Sequence, residues 1–432
     1  MSKNTTLNAA LYLYNLGWHL IIPALRLNQR LADGFRHRTL QQMTLTQADL
    51  WIQAASSGES YLAWSILKTL HPLKPVSVII TSNTRQGLEI IDRALCDITP
   101  NQRGVRAYSA YFPFDKPSIM ETAVKTIRPK VMVLLESEIW PGLLAALRKH
   151  GCHTVIINGR MTAKSLTRYL IWPSFWRMIG PDKILGISSS DAKRFATIFG
   201  KERVEVMHNI KFDNIGDIAH EFETEKHIGN VIRSETSFLV LGSTRQEEES
   251  EVEKIILNIH RRCPDTVIGL FPRHMHRITY WKEALGRMGM PWVLRSKAEP
   301  QISGGTVILW DSFGELSSAY GLSNGVFVGG SLAPLGGQNF LEPLTCGVIP
   351  VIGPSWENFA WIGQEIVDQG LVHVAADWKE VADVLVQSIE KTTPRENVRK
   401  AAIMYMKNRQ GGTDKACRLI EKLLRGTNQG RW

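Results

Sequence analysis

The chain has 432 residues, 44% hydrophobic and 21% charged, a balance that excludes a disordered protein. Single cores stop growing at about 250–300 residues, so this length predicts two domains. A net charge of +10 points to nucleic acid, an anionic membrane surface or a phosphorylated small molecule, and the lack of zinc-finger spacing, an RNP-type motif or a long Lys/Arg block puts nucleic acid last.

Asn4 to Leu25 carries no charge and is dominated by Leu11, Leu13, Leu16, Trp18, Leu20, Ile21 and Ile22. A spanning helix needs roughly 20 apolar residues, so the segment is only just long enough. Tyr12, Tyr14 and Trp18 suit the headgroup level. The expectation is a membrane anchor, spanning or lying in the interface, over residues 1–40 with their basic flank of Arg26, Arg30, Arg36 and Arg38. A docked first helix is the plainer alternative, and a cleaved signal ranks below both because no small-x-small site precedes Arg26. If the segment spans, the basic residues after it place the body of the chain in the cytoplasm.

Short Val/Ile/Leu runs then alternate with helical patterns. Val76–Ser82, Val131–Glu136, Thr154–Asn158 and Lys183–Ser188 read as buried parallel strands. A second series follows at Phe238–Thr244, Thr266–Pro272, Thr306–Trp310, Gly325–Gly330 and Ile349–Pro354. Such runs separated by helices predict an α/β protein with two doubly wound, Rossmann-like domains. The polar stretch Asn209–Ser234 interrupts the alternation. The boundaries follow: 41–210 for the first domain, and 211–432 for the second, including an amphipathic helix near Asp414–Arg425. Two such domains facing one another place a ligand cleft at their carboxyl strand ends.

Polar clusters at strand ends are the candidates for chemistry. Ser57-Gly58-Glu59 follows the apolar Trp51-Ile52; a carboxylate at that helix start serves either as a general base or simply as a favourable charge on the helix dipole. Glu136-Ser137-Glu138 precedes Trp140-Pro141, a second acidic pair or an ordinary helix start. Ser243-Thr244-Arg245 and Pro272-Arg273-His274 end second-domain strands, and the Arg and His are good phosphate partners. Gly329-Gly330-Ser331 and Gly336-Gly337-Gln338-Asn339 suit a phosphate cradle, with Glu342 placed to accept ribose hydroxyls. The five cysteines are scattered and odd in number, which argues for a reducing setting and against zinc. No metal and no cofactor is expected.

Together these residues resemble the Kdo transferases (3-deoxy-D-manno-octulosonic acid transferases of lipopolysaccharide assembly). The ordered series that carries the resemblance is Ser57-Gly58-Glu59, Tyr111-Phe112-Pro113-Phe114-Asp115, Glu136 to Pro141, Asn158-Gly159-Arg160 with Ser165 and Tyr169, and Asn209 to Asp213. It continues through Ser243-Thr244 with Glu248-Glu249, Pro272-Arg273-His274, Asp311 with Gly314-Glu315-Leu316, Phe327 to Ser331 and Gly336 to Asn339. The resemblance implies a GT-B fold and metal-independent, inverting transfer of Kdo from CMP-Kdo to a lipid A precursor (lipid IVA). It implies Glu59 as the base, Glu136 or Glu138 as a second required acid, and Ser57, Gly58 and Arg160 on the acceptor side. Ser243, Thr244, Arg273, His274, Gly336, Gly337, Gln338, Asn339 and Glu342 fall on the donor side. The sequence departs from the family at Gln338, where His is usual, at Met275-His276 in place of Pro-Glu, at Glu247 in place of Gly, and at His208 in place of Gly. These changes leave room for another ulosonic acid or nucleotide sugar, or for a non-catalytic relative that binds lipid or nucleotide.

Overall fold

The computed structural model describes residues 3–27, 29–42, 45–98, 104–213, 231–233, 235–391 and 393–426. It divides into two units, Met1–Asn214 with Arg409–Trp432, and Ile215–Asn408. The first holds strands β1 (Leu50–Ala54), β2 (Val76–Ser82), β3 (Val105–Tyr111), β4 (Val131–Leu135), β5 (His153–Gly159), β6 (Lys183–Gly186) and β7 (Val204–Val206). Their order is β3-β2-β1-β4-β5-β6-β7, with every pairing parallel. This is the doubly wound arrangement, in which strand order reverses between β1 and β4. β1 and β4 are buried along their whole length, because helices cover both faces of the sheet.

The second unit repeats the plan. Its strands are β8 (Phe238–Thr244), β9 (Val267–Pro272), β10 (Trp292–Leu294), β11 (Val307–Leu309), β12 (Gly325–Val328), β13 (Pro350–Ile352) and β14 (His373–Val374). The order β10-β11-β9-β8-β12-β13-β14 reverses between β8 and β12. In such sheets the crevice beyond the carboxyl ends, at the reversal, is where ligands bind.

One expected boundary is corrected. The helix Gly412–Arg425 belongs to the first unit, not to a second domain running from 211 to 432. Ala416, Cys417, Ile420 and Leu423 sit in the core formed by Leu62, Ile66 and Leu67 of the helix Ser57–Thr69. The apolar stripe at i, i+1, i+4 and i+7 needs such a face to cover. The return is fastened by Asp213, whose carboxylate accepts the N–H groups of Gly411 and Thr413 and the Thr413 hydroxyl, all at 2.6 Å. The second unit is thus an insertion into the first. Within the expected boundary segment 209–234, residues 214–230 and 234 lie outside the described residues.

The N-terminal helix runs Lys3–Leu25 and docks on the helix Pro117–Ile127 and the loop before it. Tyr14 donates to Asp115 at 3.0 Å, Asn15 accepts the Ser118 N–H at 3.2 Å, and Trp18 lies 5.9 Å from Phe114, centroid to centroid. Its other face presents Tyr12, Leu13, Leu16, Leu20 and Ile21 to solvent. Among the described residues no helix is long and apolar enough to cross a membrane.

Candidate active site

Glu59 stands just beyond the carboxyl end of β1, in the first turn of the helix Ser57–Thr69. Ser56 caps the helix: its hydroxyl oxygen accepts the Glu59 N–H, while Glu59 reaches back to the Ala55 N–H at 2.7 Å and to the Ser56 hydroxyl at 3.0 Å. The small residues and glycine of this turn predicted Glu59 at a helix start; the Ser56 cap that holds it there is seen in the structure. Gly58 is exposed, and a Cβ there would meet nothing nearer than Ser56 Oγ at 3.9 Å. Open space therefore lies over the helix start, beside the half-buried Ser57.

Glu136 and Glu138 follow β4, on the other side of the strand reversal. Glu136 takes a left-handed conformation with φ of 55°, which costs a non-glycine residue about 1–2 kcal/mol. Its carboxylate pairs with Lys211 at 3.1 Å. Glu138 accepts the Trp140 indole N–H at 2.6 Å. The three carboxyl groups feel one another. Burial first, then the charge of Glu138 and, more weakly, that of Glu136 push the Glu59 carboxyl up to about 8. Burial and Glu136 raise Glu138 as well. A buried carboxyl held between neutral and ionised forms near neutral pH is what a general base requires.

Two further residues were named in the sequence only as members of the motif series. Asp115, fully buried, accepts the Gly142 and Leu143 N–H groups at 2.9 and 2.7 Å and so caps the helix Pro141–Lys149 from a distance. Burial carries it up to about 7. Tyr169 is raised by burial and then by Glu138, and it packs edge-on against Trp176 at 5.0 Å. Arg160 is placed near this cluster through its carbonyl, which accepts the Ser137 hydroxyl, and its side chain makes no bond among the described residues.

In the second unit the reversal brings together the ends of β8 and β12. Ser243 is left-handed, with φ of 55°. Thr244 is buried, and its hydroxyl has no partner. Arg273 and His274, at the end of β9, are exposed. His274 is lowered by desolvation and by the cations Arg245, His276 and Arg273 around it.

The expected backbone cradles are filled from within. Glu248, 1% exposed, accepts the N–H groups of Gly330 at 2.6 Å, of Ser331 and Leu332 at 3.2 Å, and of Arg245 at 2.9 Å. A carboxylate already occupies the place a phosphate would take at Gly329-Gly330-Ser331. The Gly336 and Gly337 N–H groups bond to Ser355 Oγ at 2.8 Å and to the Gly330 carbonyl at 2.7 Å. These glycines serve a left-handed turn, with φ of 83° and 80°. Beyond them Gln338 is half-buried and Asn339 exposed, its side chain accepting the Leu341 N–H. Glu342 accepts the Ser317 hydroxyl. Sequence reading had named Glu248 only as part of a motif; its burial at a helix start depends on the loop that folds over it. Among the described residues no three of His, Cys, Asp or Glu are grouped to hold a metal.

Comparison with known proteins agrees with this layout. Residues 26–214 match the domain model described as 3-Deoxy-D-manno-octulosonic-acid transferase (kdotransferase). The chain is 28% identical to the 3-deoxy-D-manno-octulosonic acid transferase of Haemophilus influenzae, over 94% of each chain. It is 27% identical to that of Bordetella pertussis, over 87% of this chain and 88% of that one. Among solved structures, UDP-GlcNAc 2-epimerase from Neisseria meningitidis shares the fold at 12% identity, with a TM-score of 0.54 over 87% of this chain and 99% of that one. The domain model over residues 26–214 and the similarity along most of the chain to these curated enzymes make the Kdo transferases the glycosyltransferases this chain resembles.

Proposed function

We propose that this protein transfers Kdo from CMP-Kdo to a lipid A precursor (lipid IVA), with inversion and without a protein-bound metal. The observation that carries this reading is the Glu59 carboxyl, buried beside Glu138 and Glu136 at the strand reversal of the first unit. Ionised Glu59 takes the proton from an acceptor hydroxyl. The hydroxyl oxygen forms a bond to the anomeric carbon of the donor while the bond from that carbon to the phosphate oxygen breaks, and CMP leaves with the electron pair. Glu136 and Glu138 keep the Glu59 carboxylate basic. Arg273 supplies positive charge for the departing phosphate and His274 a hydrogen bond, in line with the general value of fixed donors where charge develops. Asn339 and Glu342 offer polar contacts to the nucleotide. Ser57, Gly58 and Arg160 border the acceptor.

The acceptor is a lipid, and the exposed face of the N-terminal helix suits its surroundings. Leu20 is 82% and Leu13 67% exposed, with Ile171 at 84% in the same unit. An uncharged apolar face on a helix docked by its polar side fits the interface of a bilayer, here the cytoplasmic face of a bacterial inner membrane.

The test is transfer of labelled Kdo, supplied as CMP-Kdo generated in situ, to tetraacyl lipid A precursor in detergent with EDTA. Product from the wild type and a loss of roughly 100-fold in Glu59→Gln support the reading. No product from folded protein, with a known transferase active alongside, overturns it; a thermal-shift panel of CMP- and UDP-sugars then identifies the donor it does bind.

A further inference from the structure

Among the cations of the second unit, Arg245 is one that the assignment of donor residues leaves unused. Arg245 follows Thr244 at the carboxyl end of β8, next to the strand reversal. Its backbone N–H is fixed by Glu248 at 2.9 Å. Its side chain runs along Gly330: a Cβ on that glycine would lie 3.5 Å from Arg245 Cγ and 3.1 Å from both Cγ and Nε2 of Gln338. Gln338 and Arg245 thus converge on the same small residue, whose φ of 66° favours glycine.

The guanidinium is incompletely satisfied. Arg245 Nε is buried without a hydrogen-bond partner, and so is the hydroxyl of the preceding Thr244. The opposing charge is Glu247, 3.8 Å from Nε, too far for a hydrogen bond. A buried N–H of a charged group left unpaired costs about 1–3 kcal/mol or more, so a bound anion would recover a penalty already present. The charged groups around Arg245 are Glu247, the buried Glu248, His274 and, through their common influence on that histidine, Arg273 and His276. Glu248 is committed to four backbone N–H groups, and the last three are basic.

We propose that Arg245 is the principal ligand of the donor's phosphate, with the Thr244 hydroxyl and the Gln338 amide as its neutral partners; this rests on the CMP-sugar reading above. Gln338 donates a hydrogen bond but carries no charge, and Arg245 supplies a charge that does not titrate. Glu247 releases the guanidinium when the phosphate enters.

The donor contains both a phosphate and a sugar carboxylate, so the probes are CMP and cytidine, which lack the carboxylate and differ by the phosphate alone. Calorimetry on the full chain should show Arg245→Gln binding CMP about 10- to 100-fold more weakly, with cytidine affinity unchanged. In Arg245→His the ratio of its CMP affinity to that of the wild type should approach one at pH 5.5 and fall by pH 8, as the imidazole loses its proton. The backbone bond to Glu248 survives either change, and an unshifted melting temperature confirms the fold. An Arg245→Gln variant that keeps CMP affinity while Arg273→Gln loses it overturns the assignment and leaves the donor reading intact. So does an Arg245→His ratio flat in pH, the mark of a structural role. A wild type that binds no CMP overturns both.

Discussion

Ser56 and Glu59 hold each other across the first turn of their helix, each accepting a hydrogen bond from the other, at 3.4 Å and 3.0 Å. The same carboxylate is the proposed base, so a helix-start device and a catalytic device share one side chain. Gln preserves the capping pattern, since its oxygen accepts the Ala55 N–H and its amide faces the Ser56 hydroxyl. Glu59→Gln should therefore fold normally and lose activity. Glu59→Ala should lose activity and also about 1 kcal/mol of stability. Denaturant melts beside the transfer assay check both parts.

Turnover should rise with pH until Glu59 is ionised. With its carboxyl at about 8, kcat climbs roughly tenfold per pH unit from about pH 6 to 8 and then levels. The stability effect runs the other way. A carboxyl raised in the folded state binds its proton more tightly than in the unfolded chain, so this stabilisation is complete below about 4.5 and is lost as pH rises through about 8. Asp115, raised to about 7, adds in the same direction. Glu59→Gln should flatten only its own share, seen as a smaller fall in melting temperature between pH 5 and pH 9.

Removing Glu248 should unseat the loop at the end of β12. Glu248→Ala leaves four N–H groups without their acceptor, at a cost of at least about 3 kcal/mol. The second unit should melt roughly 6–12 °C lower. Calorimetry on the full chain checks this, and an unchanged transition would mean that water replaces the carboxylate.

Asp213→Ala should free the last helix. Three hydrogen bonds at 2.6 Å are lost, about 2–3 kcal/mol in all. Hydrogen exchange over residues 412–425 should quicken before the remainder of the first unit responds. Equal protection in variant and wild type would show that the apolar stripe holds the helix unaided.

Much of this architecture was legible as continuous apolar runs, and the strands that escaped show why. β3, β7, β10 and β14 are the outer strands of the two sheets. β3, Val-Arg-Ala-Tyr-Ser-Ala-Tyr, is partly exposed along its length, so it lacks the unbroken Val/Ile/Leu run of a strand covered on both faces. β1 is central but has Gln53 within it, buried and satisfied by Asn83 and Thr81. The acids at 59, 136 and 138 were visible as strand-end clusters, but their mutual influence is a matter of distance across the reversal. The glycine loops were read as open cradles because sequence shows the supply of N–H groups and not their occupant, Glu248. The last helix was assigned by chain position, while its apolar stripe decides where it packs.

That misplaced helix bears on how the protein comes to be folded. The wall over Leu62, Ile66 and Leu67 is supplied by residues made after the whole of 215–408. During synthesis the sheet that carries Glu59 waits, with part of one face uncovered, while about 200 further residues are made, on the order of 10–40 s at ordinary synthesis rates. The inserted unit has all its strands within 238–374 and is free to fold on emergence. The nascent chain should therefore mature from the middle outward, the insert closing its core before the host's last helix has emerged.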